Sequence, residues 1–257
     1  MAANPRFDLT GRVVIVTGGG KGIGKVYAKE LAAVGAKVVT ADIDGEAAEA
    51  VAAEINAAGG EALGMRVDVA DEASTQDMAQ ATLKRFGTID VLINNASLMS
   101  VLQRRSWMEI PVDEWDCVMA VNLRGIFLCC KAVFPTMREK NYGKIVNISS
   151  SRFWEGAPNR LHYTTSKAGV IGLTRALSKE VGEHGVTVNA ITPGYTLSET
   201  QQATSSGNYL AVHSQGRAMG REQYPEDLVG AVMFLSSAAS DYMTGQTVNV
   251  DGGKSMH

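Results

Sequence analysis

Several features that would narrow a role at once are scarce in this sequence. Only three cysteines, Cys117, Cys129 and Cys130, stand in 257 residues. Their spacing suits no metal site, and the adjacent pair on a helix points in different directions. They read as reduced, mostly buried thiols, not as a disulfide framework or a zinc site. Charge of one sign is nearly absent: 24 Lys and Arg oppose 27 Asp and Glu, for a net −3. That balance carries no nucleic-acid footprint and no attraction to an anionic membrane. Apolar runs of membrane-spanning length are missing, and the start, Met-Ala-Ala-Asn-Pro-Arg-Phe-Asp, lacks the apolar stretch of a signal peptide. A cytoplasmic protein is the expectation. There is no internal repeat, low-complexity linker or charge block. What remains, 45% apolar and 20% charged residues, is the profile of a globular chain, and this length suits one α/β domain.

Glycine is what the chain does have. Val13 to Thr17 is a short β-branched run ending in Gly18-Gly19-Gly20-Lys21-Gly22-Ile23-Gly24, after which a helical pattern (Ile23, Val26, Tyr27, Leu31, Val34) runs to Gly35. Strand, glycine turn and helix form the setting of a phosphate-binding loop. Glycine permits positive φ and lets the backbone approach a diphosphate at a helix N-terminus. The spacing Gly18-x-x-x-Gly22-x-Gly24 differs from the commoner G-x-G-x-x-G. A second strand, Lys37 to Ala41, ends at Asp42, eighteen residues past Gly24. A carboxylate there accepts both ribose hydroxyls of adenosine and repels a 2′-phosphate, which predicts NAD over NADP. A third strand, Ala62 to Val67, runs into Asp68-Val69, where a carboxylate can hydrogen-bond the adenine amine. Asp71 reads as the N-cap of a helix to Phe86.

Strands and helices continue to alternate. Ile89 to Ile93 closes on Asn94-Asn95-Ala96, and a long helix from Trp115 to about Lys140 carries Asn122 among apolar neighbours. Such an asparagine is either a structural cap on a bent helix or a polar relay. Gly143 to Ile148 delivers Ser149, Ser150 and Ser151; Val186 to Ile191 leads to Pro193-Gly194; Gln246 to Val250 gives a seventh strand. This alternation predicts a doubly wound parallel sheet with right-handed crossovers in one domain spanning residues 1–257. Ligands then gather outside the carboxyl ends of the strands, where Gly18, Asp42, Asn94 and Ser150 fall. Residues 195–225 are polar and too long for an idle connection, and they read as a substrate lid.

Tyr163-Thr164-Thr165-Ser166-Lys167 opens a long amphipathic run. On a helix, Tyr163 and Lys167 lie one turn apart on one face. A phenol beside an ammonium forms an acid/base pair, because the cation favours tyrosinate. A lone Tyr-x-x-x-Lys is more simply a surface tyrosine near a solvated lysine. Here it accompanies a dinucleotide site and the hydroxyl of Ser150.

With these motifs in this order, the chain resembles the short-chain dehydrogenase/reductase family over essentially its full length. Thr17-Gly18-x-x-x-Gly22-Ile23-Gly24 is similar to the family's cofactor loop. Asn94-Asn95-Ala96 is similar to its central-strand motif, with Ser97 where glycine is usual. Pro193-Gly194 is similar to its nicotinamide-side motif, with Ser198 where threonine is usual. The resemblance implies a Rossmann fold with strand order 3-2-1-4-5-6-7 and a catalytic tetrad of Asn122, Ser150, Tyr163 and Lys167. In that scheme Tyr163 is the general base in alcohol oxidation, and Lys167 lowers its pKa and bonds the nicotinamide ribose. Ser150 steadies the substrate oxygen, and Asn122 holds a water that leads protons out. NAD contacts are implied for Gly18, Lys21, Gly22, Ile23, Gly24, Asp42, Asp68, Val69, Asn95, Ala96, Tyr163, Lys167, Pro193, Gly194 and Thr196. Lys21 pulls toward NADP, as a basic residue in this loop often marks NADP binders of the family. The long helices carry more apolar surface than one sheet face covers, and the family arrangement implies a homotetramer. No metal is implied.

The substrate is a small molecule, and the bulky Phe153-Trp154 pair resembles NAD-linked dehydrogenases of secondary, aryl or cyclic hemiacetal alcohols. Leu98, Ser150, Arg152, Trp154 and Tyr163 are the candidate substrate contacts. Arg152, two residues past Ser150, presents a fork suited to an anionic or oxygen-rich substrate. Arg160 and the polar lid residues Ser198, Thr200, Gln201 and His213 lean the same way; alternatively Arg152 pairs with Glu155 or a neighbouring subunit. Two other functions stay open at this point: an NADPH-dependent biosynthetic reductase, and a non-catalytic dinucleotide sensor on the same fold.

Overall fold

The structure, a computed structural model, describes residues 5–202 and 216–256. Seven parallel strands form one sheet: β1 (Val13–Thr17), β2 (Lys37–Asp42), β3 (Glu61–Arg66), β4 (Val91–Asn94), β5 (Gly143–Ile148), β6 (Val186–Pro193) and β7 (Thr247–Val250). Their order is β3-β2-β1-β4-β5-β6-β7, as expected for a single-domain Rossmann fold. β1 pairs with both β2 and β4, so the chain reverses direction across the sheet there and a crevice opens at its carboxyl end.

Side-chain alternation divides the core between the two faces of the sheet. Val14 and Val16 of β1 face helices α1 (Gly22–Ala33), α2 (Gly45–Ala57) and the last helix, with Tyr27, Leu31, Val51, Ile55, Leu228 and Val232. Ile15 of the same strand faces the other layer, built on α3 (Glu72–Phe86) and later helices, with Met78, Ile126, Val133 and Val170. Both faces are covered, which is why the central strands are continuously apolar. Asp71 caps α3 by accepting from the Ala73 amide (3.0 Å), and Gly87 ends it in the left-handed conformation at φ 80°.

Between β4 and β5 the chain departs from one regular helix. α4 (Val112–Met119) passes through a π-helical turn, Ala120–Arg124, into α5 (Gly125–Glu139). The combined Val112–Glu139 helix is long and apolar enough by composition to cross a membrane, with 44% of its most apolar window buried within the fold. This corrects the expectation that no such run exists. Its apolarity has a local cause, since Ile126, Cys129, Val133 and Met137 pack into the core layer behind β4 and β5. Burial pushes the Cys129 and Cys130 thiols up, whereas Cys117 on α4 is exposed.

The short α6 (Arg152–Glu155) precedes the long α7 (Leu161–Val181); α8 (Glu199–Gln202) and α9 (Glu226–Ser236) follow. The first limb of the expected lid at 195–225 leaves β6 as Tyr195–Gln202, and the second returns at Gly216; His213 and the side chain of Gln201 lie outside the described residues. A parallel bridge between Thr196 and Gln223 ties the two limbs together at their base.

Candidate active site

The glycine turn is folded against itself. Gly18 and Gly22 hold φ of +63° and +56°, and a side-chain carbon on Gly24 would lie 2.0 Å from the Gly18 carbonyl oxygen. Only glycine fits there. Asn95 braces the turn: its Nδ2 donates to the Thr17 and Gly18 carbonyls, both at 3.1 Å. The amides of Asn95 and Ala96 donate to Thr17 Oγ1 at 3.0 and 3.1 Å. α1 then starts with no side-chain cap from Lys21. A helix N-terminus without a cap from its own N-cap residue, behind a bare-backbone turn, suits the diphosphate of a dinucleotide.

Asp42 ends β2 beside this turn. Its Oδ2 accepts from the Gly20 amide and its Oδ1 from the Asp44 amide, each at 3.0 Å. The carboxylate is thereby fixed at the strand end. Lys21, which argued for NADP, is turned onto Asp44 at 2.6 Å. Asp68 Oδ1 accepts from the Ala70 amide at 2.9 Å, closing the turn into α3. Val69 is buried in the core and would touch any side chain at Gly125.

β5 and α7 bring Ser150, Tyr163 and Lys167 together. Ser150 stands near the Tyr163 phenol and favours its ionised form, and Ser150 Oγ accepts from the Arg152 amide at 3.3 Å. Lys167 Nζ donates to the Ile148 carbonyl at 2.8 Å and lies 5.7 Å from the centre of the Tyr163 ring. Among the described residues no carboxylate pairs with it, and burial pulls its pKa down to about 7. Tyr163 departs from expectation. Burial raises its pKa, and the opposing influences are the Ser150 hydrogen bond and then the charges of Arg152 and Arg160, not Lys167. Burial thus works against the charged form of both Tyr163 and Lys167.

Asn122 lies in the π-helical turn and is fully buried. Its Oδ1 accepts from the Leu98 amide at 2.7 Å, and its Nδ2 donates to the Leu98 carbonyl and to Ser166 Oγ, both at 3.2 Å. The extra residue of a π turn rotates this amide inward, so Asn122 tethers the loop after β4 to α7. Leu98 in turn packs with Met99, Leu102, Val118 and Tyr163 as an apolar wall around the phenol.

Two expected substrate contacts are turned elsewhere. The Arg152 guanidinium donates to the carbonyls of Ala157 (3.1 Å) and Pro158, closing its own loop. Glu155, its expected partner, accepts from Ser151 Oγ and pairs with Lys254 at 3.2 Å. Trp154 donates to Thr192 Oγ1 at 3.2 Å, meets the Phe153 ring at a 56° tilt, and lines a 580 Å³ groove with Arg175, Lys179 and Thr247 at the β7 edge. Its indole satisfies its N–H there, away from the apolar wall at Tyr163. Pro193-Gly194 closes β6: the Gly194 amide donates to the Val250 carbonyl and Thr196 Oγ1 to the Gly194 carbonyl, at 2.9 and 3.0 Å.

Glu114, His162 and Glu199 enter without having been singled out in the sequence. Glu114 on α4 bridges His162 Nε2 (3.1 Å) and Arg105 (3.2 Å). His162 is fully buried, and burial lowers its pKa, so the neutral ring donates from Nε2. Its place directly before Tyr163 was the only available cue. Arg160 closes the same corner by donating to the Leu102 carbonyl at 2.9 Å. Glu199 Oε1, finally, accepts from the Gly22 amide at 3.1 Å. No metal-holding cluster occurs among the described residues.

Comparison with known proteins agrees with this geometry. Residues 18–255 match a family model described as Enoyl-(Acyl carrier protein) reductase. The chain is 40% identical over 250 residues to a 3-oxoacyl-(acyl-carrier-protein) reductase of Synechocystis, covering 96% of this chain and 98% of that protein. It is 37% identical over 247 residues to a subunit of (2S)-((R)-hydroxy(phenyl)methyl)succinyl-CoA dehydrogenase of Thauera aromatica, covering 95% and 97%. The crystal structure of a short-chain type dehydrogenase/reductase from Mycobacterium marinum superposes with a TM-score of 0.88 at 33% identity, covering 97% of both chains.

Proposed function

The chain belongs to the short-chain dehydrogenase/reductase family and is an oxidoreductase using a nicotinamide cofactor; from that premise we propose that it interconverts a secondary or cyclic hemiacetal alcohol and its carbonyl compound with NAD. The observation that carries the reading is Tyr163, buried beside Ser150 and one helical turn from Lys167, whose Nζ lies 5.7 Å from the phenol ring centre. In oxidation, the Tyr163 oxygen takes the hydroxyl proton of the substrate; in reduction the phenol returns it. Ser150 donates to the substrate oxygen and steadies the charge that develops there. The nicotinamide ring, when bound, accepts or supplies the hydride. Lys167, released from the Ile148 carbonyl, is the group on this chain able to bond a ribose hydroxyl. Leu98, Met99 and Leu102 exclude water from the phenol.

Asp42 supports NAD. Its carboxylate is pinned by two amides, and the cation that would offset a 2′-phosphate is held on Asp44. A phosphate facing a fixed carboxylate is disfavoured by kilocalories, not tenths. The similarity to a 3-oxoacyl-(acyl-carrier-protein) reductase favours a second reading, carbonyl reduction with NADPH. Initial rates with NADH and NADPH at matched concentration separate the two. We expect NADH to be preferred, and Asp42→Ala to move the ratio toward NADPH by about tenfold or more, roughly 1.4 kcal/mol; equal turnover by the native enzyme rules the NAD reading out.

Assembly as a homotetramer is part of the same proposal. Phe127 on α5 and Leu161 on α7 are 53% and 46% exposed, on the helices expected to form the first contact. A monomer by light scattering at micromolar concentration would overturn it.

A further inference from the structure

The first amide of α1 is not left open in the free protein. Gly22 N–H donates to Glu199 Oε1 at 3.1 Å, across 177 residues of sequence. The neighbours of Glu199 press on the same point: a side-chain carbon at Gly22 would lie 3.1 Å from Thr200 Oγ1 and 3.5 Å from Ser198 Oγ. These two hydroxyls are bonded to each other at 2.9 Å. A carboxylate with two hydroxyls beside it therefore sits on the amide that begins the helix. Helix N-termini favour negative charge, which accounts for its resting there.

The surroundings make the contact replaceable. Lys21 directs its ammonium to Asp44, so the nearest cation is not paired with Glu199. Asp42, Asp44 and Glu199 together present three carboxylates to that one lysine. A ligand diphosphate brought to the same N-terminus meets the Glu199 charge within the first helical turn, where like charges repel. The two anions compete for one position.

We propose that Glu199 is an affinity-determining residue of the dinucleotide site: an internal carboxylate that holds the diphosphate position in the free protein and is displaced when cofactor binds. The proposal rests on the dinucleotide reading above. It couples cofactor entry to the first limb of the segment at 195–225, because expelling Glu199 releases the start of α8 from the glycine turn.

The test uses the full-length protein without cofactor, with ADP as the diphosphate probe and adenosine as the control that lacks it. Calorimetry reads ADP binding, and ligand-observed NMR reads adenosine. Glu199→Gln keeps an acceptor for the Gly22 amide and removes the charge, and Glu199→Ala removes both. We expect ADP to bind about tenfold more tightly to Glu199→Gln than to the native protein and at least as tightly to Glu199→Ala, with adenosine unchanged across all three. ADP affinity that is equal or weaker in both variants overturns the proposal while leaving the cofactor reading intact. Adenosine tightened as much as ADP also overturns it, since the effect then comes from a loosened loop. No ADP binding by any of the three removes the dinucleotide reading and this proposal with it.

Discussion

Lys144 on β5 and Lys167 on α7 are both sealed from solvent, at 1% and 2% exposure, and they sit at opposite ends of the same sheet. At the amino end, Lys144 Nζ meets Asp241 at 2.7 Å and faces the Tyr142 ring. Around it, Asp90 accepts from the Val13 amide (2.8 Å) and pairs with Lys140 (2.5 Å), and Arg12 lies over Tyr142. At the carboxyl end, Lys167 Nζ donates to the Ile148 carbonyl, and the phenol beside it is held neutral by burial. Buried charges at one end are paired, and at the other a buried amine has no anion beside it among the described residues. Pairing contributes stability; leaving a group unpaired tunes its proton affinity toward neutrality, as acid/base work requires. One residue type thus serves stability in one place and, in the proposed reaction, chemistry in the other.

The comparison is most directly broken by exchanging what each lysine does. Tyr163→Phe should lower kcat by roughly 10²–10⁴, the usual range for a lost acid/base group. Lys167→Met should lower it by about 10² or more without loss of thermal stability in the free protein. Lys144→Met should leave kcat within twofold and lower Tm by about 2–4 °C, the equivalent of ~1 kcal/mol, since Asp241 stays hydrated. Steady-state kinetics and thermal melts on the three variants decide it. Similar kinetic losses at both lysines would erase the distinction.

A smaller effect is expected at Arg152. Its charge opposes the rise that burial imposes on Tyr163. Arg152→Met should therefore move the pH profile for alcohol oxidation to higher pH and leave KM within twofold. An unmoved profile with a raised KM would instead return Arg152 to direct substrate binding.

The smallest signal is a slope in stability with pH. Lys167 has a folded pKa of about 7 against an ordinary 10.5. Between those values the unfolded chain binds more protons than the native one, so native stability rises with pH. The cost of burying the ammonium is fully present below about pH 7 and fades toward 10.5. Denaturant titrations at pH 7, 8 and 9 should give the native protein a gain over Lys167→Met of at most about 1.4 kcal/mol per pH unit. Parallel curves for the two proteins would show that Lys167 is not desolvated in solution.

Much of the site was legible because its signals are local. Thr17 to Gly24, the acid ending β2, and Tyr163 with Lys167 are short patterns whose geometry follows from one turn of backbone. Asn122 was legible as an unusual residue, but its partners Leu98 and Ser166, 24 and 44 positions away, were not. The same holds for Glu114 with His162, 48 positions apart, and for Glu199 on Gly22. Arg152 and Trp154 were misdirected for a related reason. Proximity to Ser150 in sequence says how far a side chain reaches, and not which carbonyl or hydroxyl will satisfy it first.

By itself the sequence determined the alternation of seven strands with helices, the order in which glycine stops them, and the reacting residue types at the carboxyl edge. Those follow from side-chain periodicity and backbone freedom, which act over a few residues. Tertiary structure alone decided which buried lysine found an anion, which face of the π turn carried Asn122 inward, and which carboxylate came to rest on the first amide of α1. Each of these depends on desolvation and on partners delivered from distant segments, and no local pattern encodes how much water a group has lost.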